Sequence, residues 1–439
     1  MSTRKPVNFY YSLTNDNNKT VYRTLGDAEY HEVKEKDNLD YKKTINIRMD
    51  ANFTACDEDL YKYREQLTHF NDEIKQSFFK NENGTGFRVD VFNYNTINDA
   101  IYNIVTVNSD QKLIKRMSKI YENEFRALEN CQSCGLMGID KDILEKWVSS
   151  YGYDFSKFYF NMMKKIRIPL SEPIFQLIDT LDWTKLGFGI YRVKIICDDK
   201  NFWNCFKFND THHYLHSTLK AVYKVKDKFN IRFKLLKADS MYDYNFIEYK
   251  ETVELKVLFK RYFKIMDELL KKCSKKNFLL KSYCAQAWGA LSKYRKIYVD
   301  EEDLEEYDWG HMTDIQKGKQ YEYYSYKSNN GVHTLVKEDN AYRYGGLGRI
   351  KTFLSEYSRN YMLTMLTENN LEPYVMRIQT DGICFSKPID FPSMGLNYYP
   401  IPEKKTTGKI KFYNINYYTH CCDKCNAEYK YDKHNEHKC

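Results

Sequence analysis

Proline and glycine are scarce in this chain, 8 and 18 among 439 residues, and no internal repeat or low-complexity linker divides it. That excludes collagen-like and solenoid architectures and long disordered linkers. No apolar run approaches the roughly 18 residues that a membrane-spanning helix needs, and mean hydropathy is −0.70. The opening stretch, MSTRKPVNFYYSL, has no apolar core of the kind that precedes a signal cleavage site. The expectation is therefore an intracellular protein with no membrane partner. Neither sign of charge dominates: 68 Lys and Arg face 60 Asp and Glu, a net of +8, which permits an anionic partner without requiring one. Cys56, Cys197, Cys205, Cys273, Cys284 and Cys384 sit singly, which argues for reduced buried thiols over a disulfide framework.

Aromatic residues are abundant, with 40 Tyr and 26 Phe interleaved with Lys. Such mixtures suit a groove that holds unpaired bases, although an AT-rich coding sequence would enrich Tyr, Lys and Asn as well. Residues 1–44 are polar and poorly periodic, and residues 57–80 have the spacing of an amphipathic helix. Helical character is expected over 98–128, 248–292 and 349–370, and a strand over 189–197. The helix at 349–370 runs into a short strand, YVMRIQ, and a turn at TDG. Helices feeding isolated carboxylate-bearing strands imply an α+β fold.

Two segments carry those carboxylates. Asp154 lies within Tyr153-Asp154-Phe155 and Asp381 follows Val375-Met376-Arg377-Ile378-Gln379-Thr380, each at the end or bend of an apolar strand. An Asp before a turn is, by itself, most often a cap or turn former. If the two strands lie side by side, however, both carboxylates face one spot and can bind hard divalent ions. Between them lies Lys276-Asn277-Phe278-Leu279-Leu280-Lys281, followed by Ala285, Trp288 and Gly289. On a helix, Lys281, Ala285 and Trp288 share a face, from which a lysine can reach a triphosphate. The end of the chain holds Cys422, Cys425, His434, His437 and Cys439, enough soft and borderline ligands for one tetrahedral Zn²⁺. The histidines of NDTHHYLH, His212, His213 and His216, have no organised partner and are expected in a loop.

Taken in order, the three internal segments resemble the three polymerase motifs of family B DNA polymerases, closest to the protein-primed type. In the first motif, Asp-x-x-Ser-Leu-Tyr-Pro, Asp154 and Tyr159 match while Lys157 and Phe160 depart. In the second, Lys-x-x-x-Asn-Ser-x-Tyr-Gly, Lys281 and Gly289 match, Trp288 replaces the tyrosine, and Ala285-Gln286 replaces Asn-Ser. The third, Asp-Thr-Asp-Ser, is Gln379-Thr380-Asp381-Gly382 here. Cys134-Gly135 resembles part of the Tyr-x-Gly-Gly element that protein-primed members carry upstream, and Gly408-Lys409-Ile410-Lys411 resembles their Gly-x-x-Lys stretch.

The resemblance implies a polymerase right hand. Residues 129–247 and 293–415 would form a palm with two insertions, 248–292 the fingers, 1–128 a remnant of an exonuclease-like domain, and 416–439 a small zinc module. It implies two Mg²⁺ held by Asp154 and Asp381, and nucleotide contacts from Tyr159, Lys276, Lys281, Trp288 and Gly289. The implied partners are DNA template and primer, dNTPs, and a terminal protein or second polymerase subunit. The implied setting is the replication of a virus or mobile element in the host cytoplasm or nucleus. Asp27-Ala28-Glu29 lacks the apolar flanks of an exonuclease strand, so no editing activity is expected. The altered motif positions leave two alternatives: a decayed polymerase that binds nucleic acid, and one subunit of a split enzyme.

Overall fold

In the computed structural model, side chains are described over residues 101–120, 123–131, 135–271, 284, 287–291, 346–391 and 408–421, and elsewhere only strands and helices are described. The chain forms two compact units, Met1–Glu122 with Glu254–Gly348, and Asn123–Val253 with Arg349–Cys439.

The second unit carries both carboxylates. Helix α1 (Glu122–Asn130) leads into strands β1 (Met137–Ile139) and β2 (Trp147–Phe155) and then the short helix α2 (Phe158–Met163). An insertion follows, with β3 (Ile174–Gln176), β4 (Gly189–Ile196), β5 (His213–Leu215), α3 (His216–Lys224), β6 (Arg232–Leu235) and β7 (Phe246–Glu248). The chain returns to this unit through α4 (Arg349–Glu368), β8 (Val375–Gln379), β9 (Gly382–Phe385), β10 (Pro402–Phe412), β11 (Tyr418–Cys421) and β12 (Glu428–Lys430).

Seven of these strands form one antiparallel sheet in the order β12-β11-β10-β2-β9-β8-β1. The carboxylate-bearing strands are therefore not isolated, as the sequence reading had them, but central in a wide sheet. The insertion builds its own sheet, β3-β7-β4-β5, with β6 also pairing β4. Helix α4 packs against α2 and α3, and fourteen of its twenty residues are buried, so it is a core helix and not a surface one.

Buried polar groups tie these pieces together. Helix α3 has no side-chain cap of its own at Leu215. Glu356 of α4 supplies one, accepting a hydrogen bond from the Leu215 backbone N–H at 2.8 Å and another from the Thr218 hydroxyl. At the start of α4, Arg349 donates to Glu124 of α1 through Nε (2.5 Å) and Nη2 (2.8 Å), and the Tyr249 hydroxyl donates to the same carboxylate at 2.8 Å. Neither charged side chain of that pair is exposed to solvent.

Several sequence expectations change on this frame. The helical span at 98–128 is three helices, Ile97–Val107, Gln111–Arg116 and α1. Asp110 restarts the chain as an N-cap, its carboxylate accepting from Lys112 N and Leu113 N, and the second helix ends on extended Met117. The span at 248–292 begins with strands, Phe246–Glu248 and Thr252–Glu254, because β-branched and aromatic residues alternate there. Helix begins only at Leu255. His213 and His216 are not loop residues: His213 is fully buried in β5, and His216 opens α3 with Nδ1 accepting from Gly189 N at 3.3 Å. The expected helix at 57–80 lies outside the described residues, apart from Phe79–Lys80, a strand paired with Gly86–Phe87. The expected strand at 189–197 and helix at 349–370 are present as β4 and α4. Cys197, Cys205, Cys284 and Cys384 are free, buried thiols. Among the described residues, no helix is long and apolar enough to cross a membrane.

Candidate active site

Strand β2 pairs with β9 in the register Gly382↔Asp154, Ile383↔Tyr153 and Cys384↔Gly152. The ladder continues one step further, where Phe155 N donates to Asp381 O at 3.0 Å. Asp381, just before β9 begins, thus has its backbone opposite Phe155, the residue after Asp154, across strands about 4.8 Å apart. Both aspartates are partly exposed.

Each carboxylate is held by rigid neighbours. Tyr153 accepts a hydrogen bond from Ile389 N and donates one to Ile389 O, both at 2.8 Å, and packs edge-on against Phe385 and Phe391. Phe155 is fully buried against Phe158 and Tyr361. Strand alternation puts Tyr153 and Phe155 on one face and Asp154 on the other, so the carboxylate is anchored on both sides without being buried. Gly382, directly opposite Asp154, places no side chain in that row.

Asp381 lies in the two-residue turn Thr380–Asp381 that joins β8 to β9. Thr380 has φ +62°, a conformation that a β-branched residue adopts only under constraint, at a cost of about 1–3 kcal/mol. The constraint is visible: Thr380 N donates to Leu136 O at 2.8 Å, and β1 pairs with β8 alongside. Lys157 also has positive φ (56°), as N-cap of α2. That turn sends the chain sharply from β2 into α2, where Tyr159 stands one residue after Phe158.

Gly135 joins these parts. A Cβ placed there would lie 2.9 Å from Thr380 Cγ2, from Thr380 Oγ1 and from the Tyr159 hydroxyl. Three segments far apart in sequence, at Gly135, Tyr159 and Thr380, meet within one side chain's breadth.

Gln379, where the family motif has an aspartate, is engaged elsewhere. Its carbonyl accepts from Arg377 Nη2, and its amide donates to Asn416 Oδ1 at 3.0 Å. Arg377 also donates to Ile415 O at 2.6 Å and lies 4.9 Å over the Tyr418 ring. A neutral amide here adds no third negative charge beside Asp154 and Asp381.

The donor set fits Mg²⁺. This ion keeps several waters and takes one or two protein carboxylates, the rest of its shell coming from substrate phosphates. Among the described residues, no group of three or more His, Cys, Asp or Glu is arranged to hold a metal by itself.

The other sequence-derived residues are distributed as follows. Lys276 and Lys281 lie outside the described residues. Trp288 and Gly289 lie on a helical turn at residues 287–291 in the first unit, and a Cβ at Gly289 would meet nothing within 4 Å. Cys422, Cys425, His434, His437 and Cys439 lie outside the described residues; Cys422 and Cys425 fall between β11 and β12, which pair as a hairpin. Lys409 and Gly408 lie on β10, paired with Ser149 and Ser150 of β2. Sequence reasoning missed Glu403, which the β10–β2 register sets opposite Asp154. Its signal was the strand itself: with β10 beside β2, any acidic residue early in β10 falls into the Asp154 row.

No protein-family model matches the chain, and no curated protein matches it by sequence. Solved structures do. Phi29 DNA polymerase complexed with single-stranded DNA superposes with a TM-score of 0.54 at 10% identity, over 97% of this chain and 90% of that one. The same polymerase complexed with primer-template DNA and incoming nucleotides gives 0.52 at 10% identity, over 95% and 87%. The fold resembles that of Phi29 DNA polymerase. At this identity the likeness speaks for the fold alone.

Proposed function

We propose that this protein is a template-directed DNA polymerase, with its active site at Asp154 and Asp381. The observation that supports the reading is the pairing of β2 with β9, which brings the backbone of Asp381 against Phe155, the neighbour of Asp154, within a fold that resembles a polymerase's. In this reading residues 129–247 and 293–415 are the palm with its insertions, 248–292 the fingers, 1–128 a remnant exonuclease-like region, and 416–439 a zinc module.

When bound, two Mg²⁺ ions would lower the pKa of the primer 3′-hydroxyl and neutralise the departing pyrophosphate. Asp154 and Asp381 would hold them. Tyr159 would stand under the deoxyribose and exclude a 2′-hydroxyl. Lys281 and Lys276 would bind the triphosphate, while Trp288 and Gly289 would flank the nascent base pair. Anchoring of β2 by Tyr153 and Phe155, and of the turn by Leu136, keeps the carboxylates in place before substrate arrives, which is the electrostatic preorganisation that phosphoryl transfer relies on. The partners would be primer–template DNA and dNTPs, and a terminal protein or second polymerase subunit. A structural Zn²⁺ would take four ligands from Cys422, Cys425, His434, His437 and Cys439.

One observation favours a second reading. Gln379 is neutral and tied to Arg377 and Asn416, as expected of a polymerase relative that retains a nucleic-acid groove without turnover.

Primer extension with Mg²⁺ separates the two. On the first reading the native chain extends a primer and Asp381→Ala does not, while both bind primer–template DNA alike. Tight DNA binding by a native chain that extends nothing would select the second.

A further inference from the structure

We infer that Gly135 is a positioning residue for Tyr159, and that its missing side chain sets how strictly a 2′-hydroxyl is excluded from the incoming nucleotide. The inference rests on the polymerase reading, and it concerns a residue to which neither the carboxylates nor the phosphate-binding lysines assign a task.

The argument is steric. Gly135 has no positive φ to demand glycine, so backbone freedom is not the reason for it. Space is. The three atoms 2.9 Å from a Cβ at this position belong to two side chains, and at that distance something must shift. Thr380 is poorly placed to yield. Its φ is already +62°, its N–H is committed to Leu136 O, and it sits in a two-residue turn between paired strands. Rotating its χ1 still leaves one of Cγ2 and Oγ1 against the added methyl group, since both crowd the same point. The Tyr159 atom nearest that Cβ is its hydroxyl, the far end of a side chain carried on a six-residue helix. An added methyl group is therefore accommodated by swinging the Tyr159 ring. Phe158 and Phe160 on either side are buried and fix the helix, so the ring moves while the backbone stays.

A ring that swings no longer closes the floor beneath the sugar. The hydroxyl is the atom that collides, whereas the ring is the atom group that excludes. This separates Gly135 from a merely structural glycine, because removing the hydroxyl should restore what the methyl group takes away.

The test uses the full chain as Gly135→Ala, Tyr159→Phe, Thr380→Ala and the two double variants Gly135→Ala/Tyr159→Phe and Gly135→Ala/Thr380→Ala. Two measurements are made: thermal melting, and the ratio of kcat/KM for a dNTP to that for the matching rNTP. Gly135→Ala is expected to melt about 3–6 °C lower, as overpacking does. Its dNTP:rNTP ratio should fall at least tenfold, with kcat for the dNTP within threefold of native. Adding Tyr159→Phe should recover at least half of both losses. A ratio unmoved within twofold in Gly135→Ala would overturn the inference. So would rescue by Thr380→Ala but not by Tyr159→Phe, since the turn would then be the displaced part. A native chain that extends no primer overturns the polymerase reading and this inference together. That result is distinguishable from failure of the inference alone, in which the native chain extends and the ratio holds.

Discussion

Glu124 and Arg349 offer the sharpest test of how the second unit is held together. The guanidinium makes two hydrogen bonds to the carboxylate, the Tyr249 hydroxyl makes a third, and neither charged side chain sees solvent. Two effects compete at such a site. Attraction between the charges is strong in a poorly polarisable interior, but both ions forfeit hydration of comparable size, so the intact pair is close to neutral in net stability. Removing one partner is different, because the other stays buried and uncompensated at a cost of about 3–5 kcal/mol. Glu124→Gln preserves shape and leaves the guanidinium without its counter-ion. In a unit of roughly 220 residues, where 1 kcal/mol moves Tm by about 2–4 °C, the expected fall is about 6–20 °C. Glu124→Leu with Arg349→Met and Tyr249→Phe, which removes both charges and the hydroxyl that would be orphaned, should melt within a few degrees of native. Differential scanning calorimetry with urea titration reads both. A loss under about 1 kcal/mol in Glu124→Gln, or an apolar triple variant as unstable as the single, would show that unpaired charge is not what makes the site costly to break.

Acid should weaken the insertion through its histidines. Burial pushes both His213 and His216 down to about 4, with Arg192 and His212 adding repulsion at His213, Lys220 at His216, and Asp239 and the Thr211 carbonyl opposing at His213. Both are neutral when folded and titrate near the usual 6.5 when unfolded, so protons favour the unfolded chain: stability is full above pH 6.5 and falls as pH drops toward 4. The loss is on the order of 3 kcal/mol per histidine, and replacing His213 with Gln should flatten the pH-dependence of urea midpoints by about half; an unchanged slope would refute the assignment. Asp154→Asn should lower kcat for extension at least 10³-fold while primer–template affinity changes less than threefold, read by single-turnover kinetics and anisotropy. Gln379→Asp places a carboxylate against Arg377, where a charge-assisted hydrogen bond is roughly twice as strong as a neutral one; it should melt no lower than native, and a clear drop would mean that the amide's bond to Asn416 matters more.

Much of the site was legible because its chemistry is local. Asp154 and Asp381 stood out as acidic residues ending apolar strands, and the TDG turn was readable from composition. What could not be read was adjacency. Nothing in the spacing of Trp147–Phe155 and Gly382–Phe385 states that they pair, nor that Glu403 falls in the same row, since register is settled by the whole sheet. The histidines show the converse error. A polar run, NDTHHYLH, reads as a loop, but β5 pulls His213 into the core and α3 leaves His216 half-buried, where the Thr211 carbonyl and the Tyr244 hydroxyl satisfy His213 and the Gly189 N–H satisfies His216. Gly135 is noted in the sequence for its resemblance to part of the Tyr-x-Gly-Gly element, but its closeness to Tyr159 and Thr380 is not legible there, because a glycine required for space leaves no pattern in sequence.

The pairing of β2 with β9 joins Asp154 to Gly382, residues 228 positions apart. Everything between them is, thermodynamically, one loop. The entropy of closing such a loop grows only with the logarithm of its length, so halving or doubling the intervening chain changes the cost by about 0.6 kcal/mol. The pairing is therefore nearly indifferent to how much protein is inserted behind it, and whole subdomains can be added or removed between the two strands with little change in its stability. The consequence is kinetic instead: contacts of such long range slow folding.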